Sequence, residues 1–241
     1  MTIIYYCTLE LHDSLYFATR EIGRLYETEP VVHNYALAYI LGFVDSPKYN
    51  TTVAKEEDAY HYFCAEQIPK YEQQLTPLNQ EGIYITPAKS IRHTSVLNTW
   101  KYADNHYHVE MKPTSKNIPS FGRTKEIAPE SEFVFFVIAQ SKLDFPKWVR
   151  MGKWASKAEL RTKTLEINKH YSDQEFTFPY LLNPLDVMTQ NQVLSFDTIN
   201  MPPVSLLQNI RMIGDYFSFK NLPKNLQGLK LPSKMSYQFS S

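Results

Sequence analysis

Seven consecutive residues of this chain, Phe133–Ala139 within EFVFFVIAQ, are apolar, and most are β-branched or aromatic. A run this short and this apolar reads as a strand, and Glu132–Gln140 is the most buried-looking one in the sequence. A second run, IIYYCTLEL at Ile3–Leu11, opens the chain with partial alternation and reads as another strand. With 43% hydrophobic residues over 241 positions, the chain can bury a substantial core. That length fits one large domain, or one with a sizeable insertion. Its 7 Gly, 15 Pro, 17 Tyr and 14 Phe are those of a turn-rich, aromatic fold and not of a helical bundle.

Between the strands the pattern changes. Arg20–Thr28 is expected to be a short helix ending before Pro30, because the residue preceding proline resists the helical region. Val32, Tyr35, Ala36, Tyr39, Ile40 and Phe43 recur at three- and four-residue steps, which predicts a helix within 31–43. His33 begins it and suits a cap. Lys55–Lys70 carries another possible buried stripe. Gly82–Ile91 reads as a strand in which Pro87 marks an edge or a bulge. Asn98–Pro129 is polar and basic with three prolines, and is expected to project as a long hairpin or loop. Lys147–Lys163 is ambiguous: its cations fall at helical spacing, whereas Arg161–Ile167 alternates like a strand. The segment from Phe176 is punctuated by prolines, with a strand-like DYFSF near its end. The whole suggests an α+β fold, compatible with a ferredoxin-like (RNA-recognition-motif) core among other options.

Several classes are disfavoured. Cys7 and Cys64 lack metal-ligand spacing and read as buried thiols in a reducing compartment. Glu10, His12 and Asp13 interrupt any signal-peptide core, and no apolar run approaches a membrane span, so a cytoplasmic protein is expected. Phosphate-binding loops, dinucleotide fingerprints, zinc-protease helices and hydrolase elbows are all missing, and no cofactor or metal is implied.

The net charge of zero conceals an asymmetry. Residues 1–89 hold 6 basic and 12 acidic residues, a net of −6; residues 90–125 have a net of +4, and residues 142–170 a net of +5. All three tryptophans lie beside the basic segments: Trp100 in one, Trp148 and Trp154 in the other. A polyanion needs cations for its phosphates, and unpaired bases need flat faces to stack on. The candidate RNA-binding residues are therefore Arg20, Arg24, Trp100, Lys101, Lys112, Lys116, Arg123, Lys125, Lys147, Trp148, Arg150, Lys153, Trp154 and Lys157. Core tryptophans ringed by solvated lysines would give the same pattern. His106 and His108 leave a second alternative open, metal-independent RNA cleavage by general acid–base chemistry.

Three stretches, YYCTLELHDSLYFATREIGRLYETEPVVHNYALAY at Tyr5–Tyr39, WVRMGKWASKAEL at Trp148–Leu160 and LSFDTINMPPVSL at Leu194–Leu206, resemble one family. It is the RAMP-superfamily subunit of type I-D CRISPR Cascade that holds the 5′ handle of the guide RNA. The resemblance implies a single RAMP domain over 1–241, with an RNA-recognition-motif-like core and a thumb-like insertion at 98–129. It implies a non-catalytic role at one end of a crRNA filament, beside the repeated backbone subunit and the large subunit. Target DNA then becomes a partner within the complex, with PAM-duplex contacts shared among the subunits. A related subtype cleaves precursor RNA with its handle-binding subunit, so the nuclease alternative belongs to the family too.

Overall fold

The computed structural model describes residues 2–44, 69–102 and 120–239. Its centre is the pair of strands expected from the apolar runs. Strand β1 (Ile3–Leu11) lies antiparallel beside a strand at Glu132–Ala139, in the register Cys7↔Phe135. In chain order the intervening strands are β2 (Arg20–Ile22), β3 (Leu25–Glu27), β4 (Val31–Val32), β5 (Tyr84–Ile85), β6 (Ala88–Arg92), β7 (Ser95–Tyr102) and β8 (Ser120–Ile127). Glu132–Ala139 is therefore β9, followed by β10 (Trp148–Met151), β11 (Ser156–Phe178), β12 (Gln192–Ile199), β13 (Leu206–Lys220) and β14 (Leu231–Pro232). The helices are α1 (Asn34–Ile40), α2 (Tyr71–Glu81) and α3 (Pro184–Met188).

The large sheet runs β12-β13-β11-β1-β9-β6-β4, and every paired neighbour is antiparallel. Alternation along β9 explains how it is buried on both sides. Phe133, Phe135, Val137 and Ala139 enter a core with Cys7, Leu9, Leu37, Leu75 and Leu78, which come from β1, α1 and α2. Val134, Phe136 and Ile138 enter a second core with Phe176, Phe178, Ile210, Met212 and Leu231. Helices thus cover one face of β9. The other is covered by the far end of the same sheet, which curls over it. The 23-residue β11 makes this possible: its pairing with β13 shifts register between Ile167 and Lys169 and again between Tyr171 and Gln174. Bulges of this kind bend and twist a strand.

The α+β expectation is corrected to a mostly β architecture. In the order β11-β1-β9-β6 each strand is antiparallel to its neighbour, and α1 and α2 lie between β1 and β6 in the chain. Between β9 and β11, however, the chain forms a loop and β10, with no helix. A ferredoxin-like layer has a helix on that crossover as well. What is present is a curled antiparallel sheet.

Arg20–Thr28 is a second correction. It forms the hairpin β2–β3, pairing Ile22 with Leu25 across a two-residue loop. Gly23 takes φ +61°, which suits the first position of a type II′ turn. The Arg20–Arg24 spacing mimics one helical turn by coincidence. The hairpin joins β7 and β8 in a small sheet ordered β2-β3-β8-β7, with β3 parallel to β8. The arms of the 98–129 segment are accordingly paired strands, from Ser95↔Ile127 to Tyr102↔Ser120. Helix α1 forms within the expected span, and the His33 side chain accepts a hydrogen bond from the Tyr35 N–H at its start, as a cap. Pro87 separates β5 from β6. The 55–70 stripe lies mostly outside the described residues, as does Cys64, while Cys7 is buried and its thiol pKa is raised by desolvation. No described helix is long and apolar enough to cross a membrane.

Candidate nucleic-acid interface

Period-two alternation settles the ambiguous basic segment. Along β10, Trp148 and Arg150 are exposed while Val149 and Met151 are buried. The hairpin β10–β11 pairs Trp148 with Glu159 and Arg150 with Lys157. Trp148 therefore sits on an outward face with cations beside its ring: the Lys157 Nζ at 3.9 Å from the centroid and the Lys147 Nζ at 5.5 Å. His12 packs against it edge-on at 5.0 Å.

Lys147 and most of the remaining cations also have carboxylate partners. Lys147 is 3.7 Å from Glu159, Arg150 is 3.7 Å from Asp13, and Arg161 pairs with Glu10 at 2.9 Å and with Glu159 at 2.6 Å. The Arg161 guanidinium holds the Glu159 carboxyl below its ordinary pKa. Arg150 also donates to the Ala155 carbonyl at 3.1 Å, so it braces its own turn. On the small sheet Arg20 pairs with Glu27 and, at 3.3 Å, with Glu29, and Lys125 reaches Glu27 at 3.5 Å. Glu27 is held below its ordinary pKa chiefly by the Arg20 hydrogen bond. Arg24 lies over the Phe121 ring at 5.3 Å. Arg20, Arg24 and Lys125 are thus engaged within the small sheet and its β2–β3 turn.

The two basic segments meet at their tryptophans. The β10–β11 turn brings Trp154 to 4.6 Å from Tyr16 and 5.3 Å from Trp100 of β7. Between them lies an open cleft of about 310 Å³, lined by Tyr16, Tyr26, Trp100, Gly122, Arg123, Thr124 and Trp154. Tyr16 and Tyr26 were not among the sequence candidates, since neither stands in a basic segment. Lys153, one residue away, borders a separate apolar cavity with Phe17, His33, Met201, Pro202 and Pro203. Lys112 and Lys116 lie outside the described residues, as do the Lys101 side chain and the His106 and His108 of the cleavage alternative. Among the described residues no cluster of three His, Cys, Asp or Glu side chains could hold a metal.

Comparison with known proteins decides the family. The model of the type I-D CRISPR-associated protein Cas5/Csc1 matches residues 2–240. The chain belongs to the type I-D Cas5/Csc1 family. This Cas5/Csc1 protein is therefore a subunit of a CRISPR effector, as the resemblance implied. No curated protein matches it. Among solved structures, a chain of the type III-B Cmr-beta complex bound to cognate target RNA and AMPPnP aligns at TM-score 0.38. The alignment has 11% identity and covers 92% of the Cas5/Csc1 chain and 91% of the other, a likeness too slight to carry an argument.

Proposed function

We propose that this Cas5/Csc1 chain is the non-catalytic crRNA-binding subunit of a type I-D Cascade, holding the 5′ handle and capping one end of the crRNA filament. In this reading β11-β1-β9-β6 is a modified ferredoxin-like RAMP core, and the 98–129 segment is its thumb-like insertion. The repeated backbone subunit and the large subunit are its neighbours, and it contributes to PAM-duplex contacts on target DNA. The observation that carries the proposal, together with family membership, is the Trp148 platform. An indole 40% exposed to solvent stands on a strand with Lys147 and Lys157 at its ring. Stacking face and phosphate-seeking charge occur together there, as single-stranded RNA requires.

Trp148→Ala in the purified chain should weaken binding of a crRNA carrying its 5′ handle by about 5- to 150-fold, the range for losing one base–aromatic stack. Lys157→Gln should instead flatten the salt dependence, by a slope of about 0.7 for one lost contact to a single-stranded phosphate. Arg150 is a poor choice for this test, because it braces the turn. Unchanged affinity in both folded variants would reject the platform. Incubating precursor repeat RNA with the chain in EDTA addresses catalysis: binding without cleavage is expected, and cleavage lost on His106→Ala or His108→Ala would establish the nuclease instead.

A further inference from the structure

The cleft between the small sheet and the β10–β11 turn is built differently from the Trp148 platform. At Trp148 an ammonium stands beside the ring, 3.9 Å from its centroid, so charge and ring share one place. Trp100 and Trp154 have no ammonium at their rings among the described residues, and stay 52% and 43% exposed although they touch each other. The Trp100 ring is held by its polar edge. Its Nε1–H donates to the Thr124 hydroxyl at 3.0 Å, and that hydroxyl donates to the Glu126 carboxylate at 2.7 Å. Asn98 donates to the same carboxylate at 2.6 Å, and Glu126 is only 1% exposed. The indole N–H is therefore satisfied inside the protein, so the exposed part of the ring carries no unmet donor.

The floor is bare backbone. Gly122 lies opposite Trp100 in the register, and a Cβ built on it meets nothing within 4 Å. Among the described residues the lining holds one arginine and no carboxylate. An aromatic cage for a cationic ligand uses the same rings, but the one charged side chain in this lining is Arg123, which opposes a second positive charge. A neutral flat ring attached to a polyanion suits it better. Tyr16 and Tyr26 supply further aromatic walls, so the cleft accepts a ring at its face without demanding a particular base.

We infer that this cleft takes one unpaired nucleobase of the bound RNA, stacked against Trp100 and Trp154 over Gly122. The inference rests on the RNA-binding reading and adds a second contact point to it. It is distinct from the platform because it holds a base and no phosphate.

The test uses the purified full chain and a short oligouridylate carrying one 2-aminopurine. Binding should quench the 2-aminopurine emission. Gly122→Val fills the floor in a strand position open to a β-branched residue. It should remove the quenching and weaken binding by about 5- to 150-fold, with the salt slope unchanged because no phosphate contact is lost. Trp154→Ala should do the same, and Trp154→Tyr, which retains a ring, should recover much of the affinity. Annealing the probe to its complement, which dims the 2-aminopurine by stacking within the duplex, should leave no further quenching when the unmodified chain is added. Full quenching and affinity in a folded Gly122→Val chain, or further quenching of the annealed probe, would overturn the base pocket while the Trp148 platform still stood. If the unmodified chain bound none of the oligouridylate while still binding its crRNA, the pocket alone would fall. If it bound neither, the RNA-binding reading would fall with it.

Discussion

Asp186→Ala should destabilise the chain by about 3–5 kcal/mol in urea denaturation, because it strips the acceptor from a buried network. Asp186 on α3 is fully buried and accepts from the Asn34 amide at 2.7 Å, the Tyr84 hydroxyl at 3.0 Å and the Gln238 N–H at 2.9 Å. Those donors come from α1, β5 and the C-terminal segment, so one carboxyl ties three parts of the fold together. Burial raises its pKa to about 7 from 3.8, against the opposing pull of the three hydrogen bonds. His33 shows the reverse. Burial lowers its pKa from 6.5 to about 4, and its ring contacts the Val204 carbonyl at 3.2 Å through Nε2.

Their effects on stability have opposite signs. Asp186 favours folding fully below 3.8, and that contribution is lost as pH rises through about 7. His33 favours folding above 6.5, and its contribution is lost as pH falls toward about 4. The ion-paired carboxylates Glu27 and Glu159, depressed from 4.5, tilt stability only below that pH. Between pH 4.5 and 6.5 the two buried groups therefore oppose each other, and the unmodified chain should change little. Asp186→Asn leaves His33 unopposed, so that variant should gain stability across the same window. A urea midpoint measured at stepped pH checks this, and identical slopes in the two chains would refute it.

How far the sequence reached depended on whether the signal was local. β1 and β9 were legible because burial on a sheet is written in the strand itself. Helix α1 was legible from its three- and four-residue spacing. Helix α2 was missed although Tyr71, Leu75 and Leu78 carry the same spacing, because Pro77 interrupts the pattern inside the helix. In Lys147–Lys163 the spacing of the cations suggested a helix. The informative alternation was in the other side chains, Trp148 and Arg150 out against Val149 and Met151 in.

The site was less legible, because its charges are balanced across the fold. The net of +5 counted along residues 142–170 omits Glu10 and Asp13, which reach Arg161 and Arg150 from the N-terminal region. The meeting of Trp100 with Trp154 joins a strand of the small sheet to a turn of the large one. No local pattern encodes that contact.

That meeting depends on one glycine, and Gly152→Ala is expected to break it. Gly152 adopts φ +74°, and a Cβ there would stand 2.7 Å from the Tyr16 carbonyl oxygen and 2.9 Å from the Leu15 Cδ1. The same carbonyl accepts the Lys153 N–H at 2.9 Å, which seats the β10–β11 turn on the chain after β1. Because the nearest obstacle is backbone, the turn itself has to move. Left-handed strain and the overlap together should cost about 2–4 kcal/mol. Gly23→Ala provides the control: its φ is +61°, but a Cβ there meets nothing within 4 Å. Strain alone should cost that variant about 1 kcal/mol. Near-ultraviolet circular dichroism should separate the two further. Gly152→Ala shifts Trp154 from its place 4.6 Å from Tyr16 and 5.3 Å from Trp100, whereas Gly23→Ala leaves that cluster alone. If both substitutions cost the same and both preserve the aromatic signal, the turn is not seated on the Tyr16 carbonyl. The convergence of the two basic segments would then need another cause.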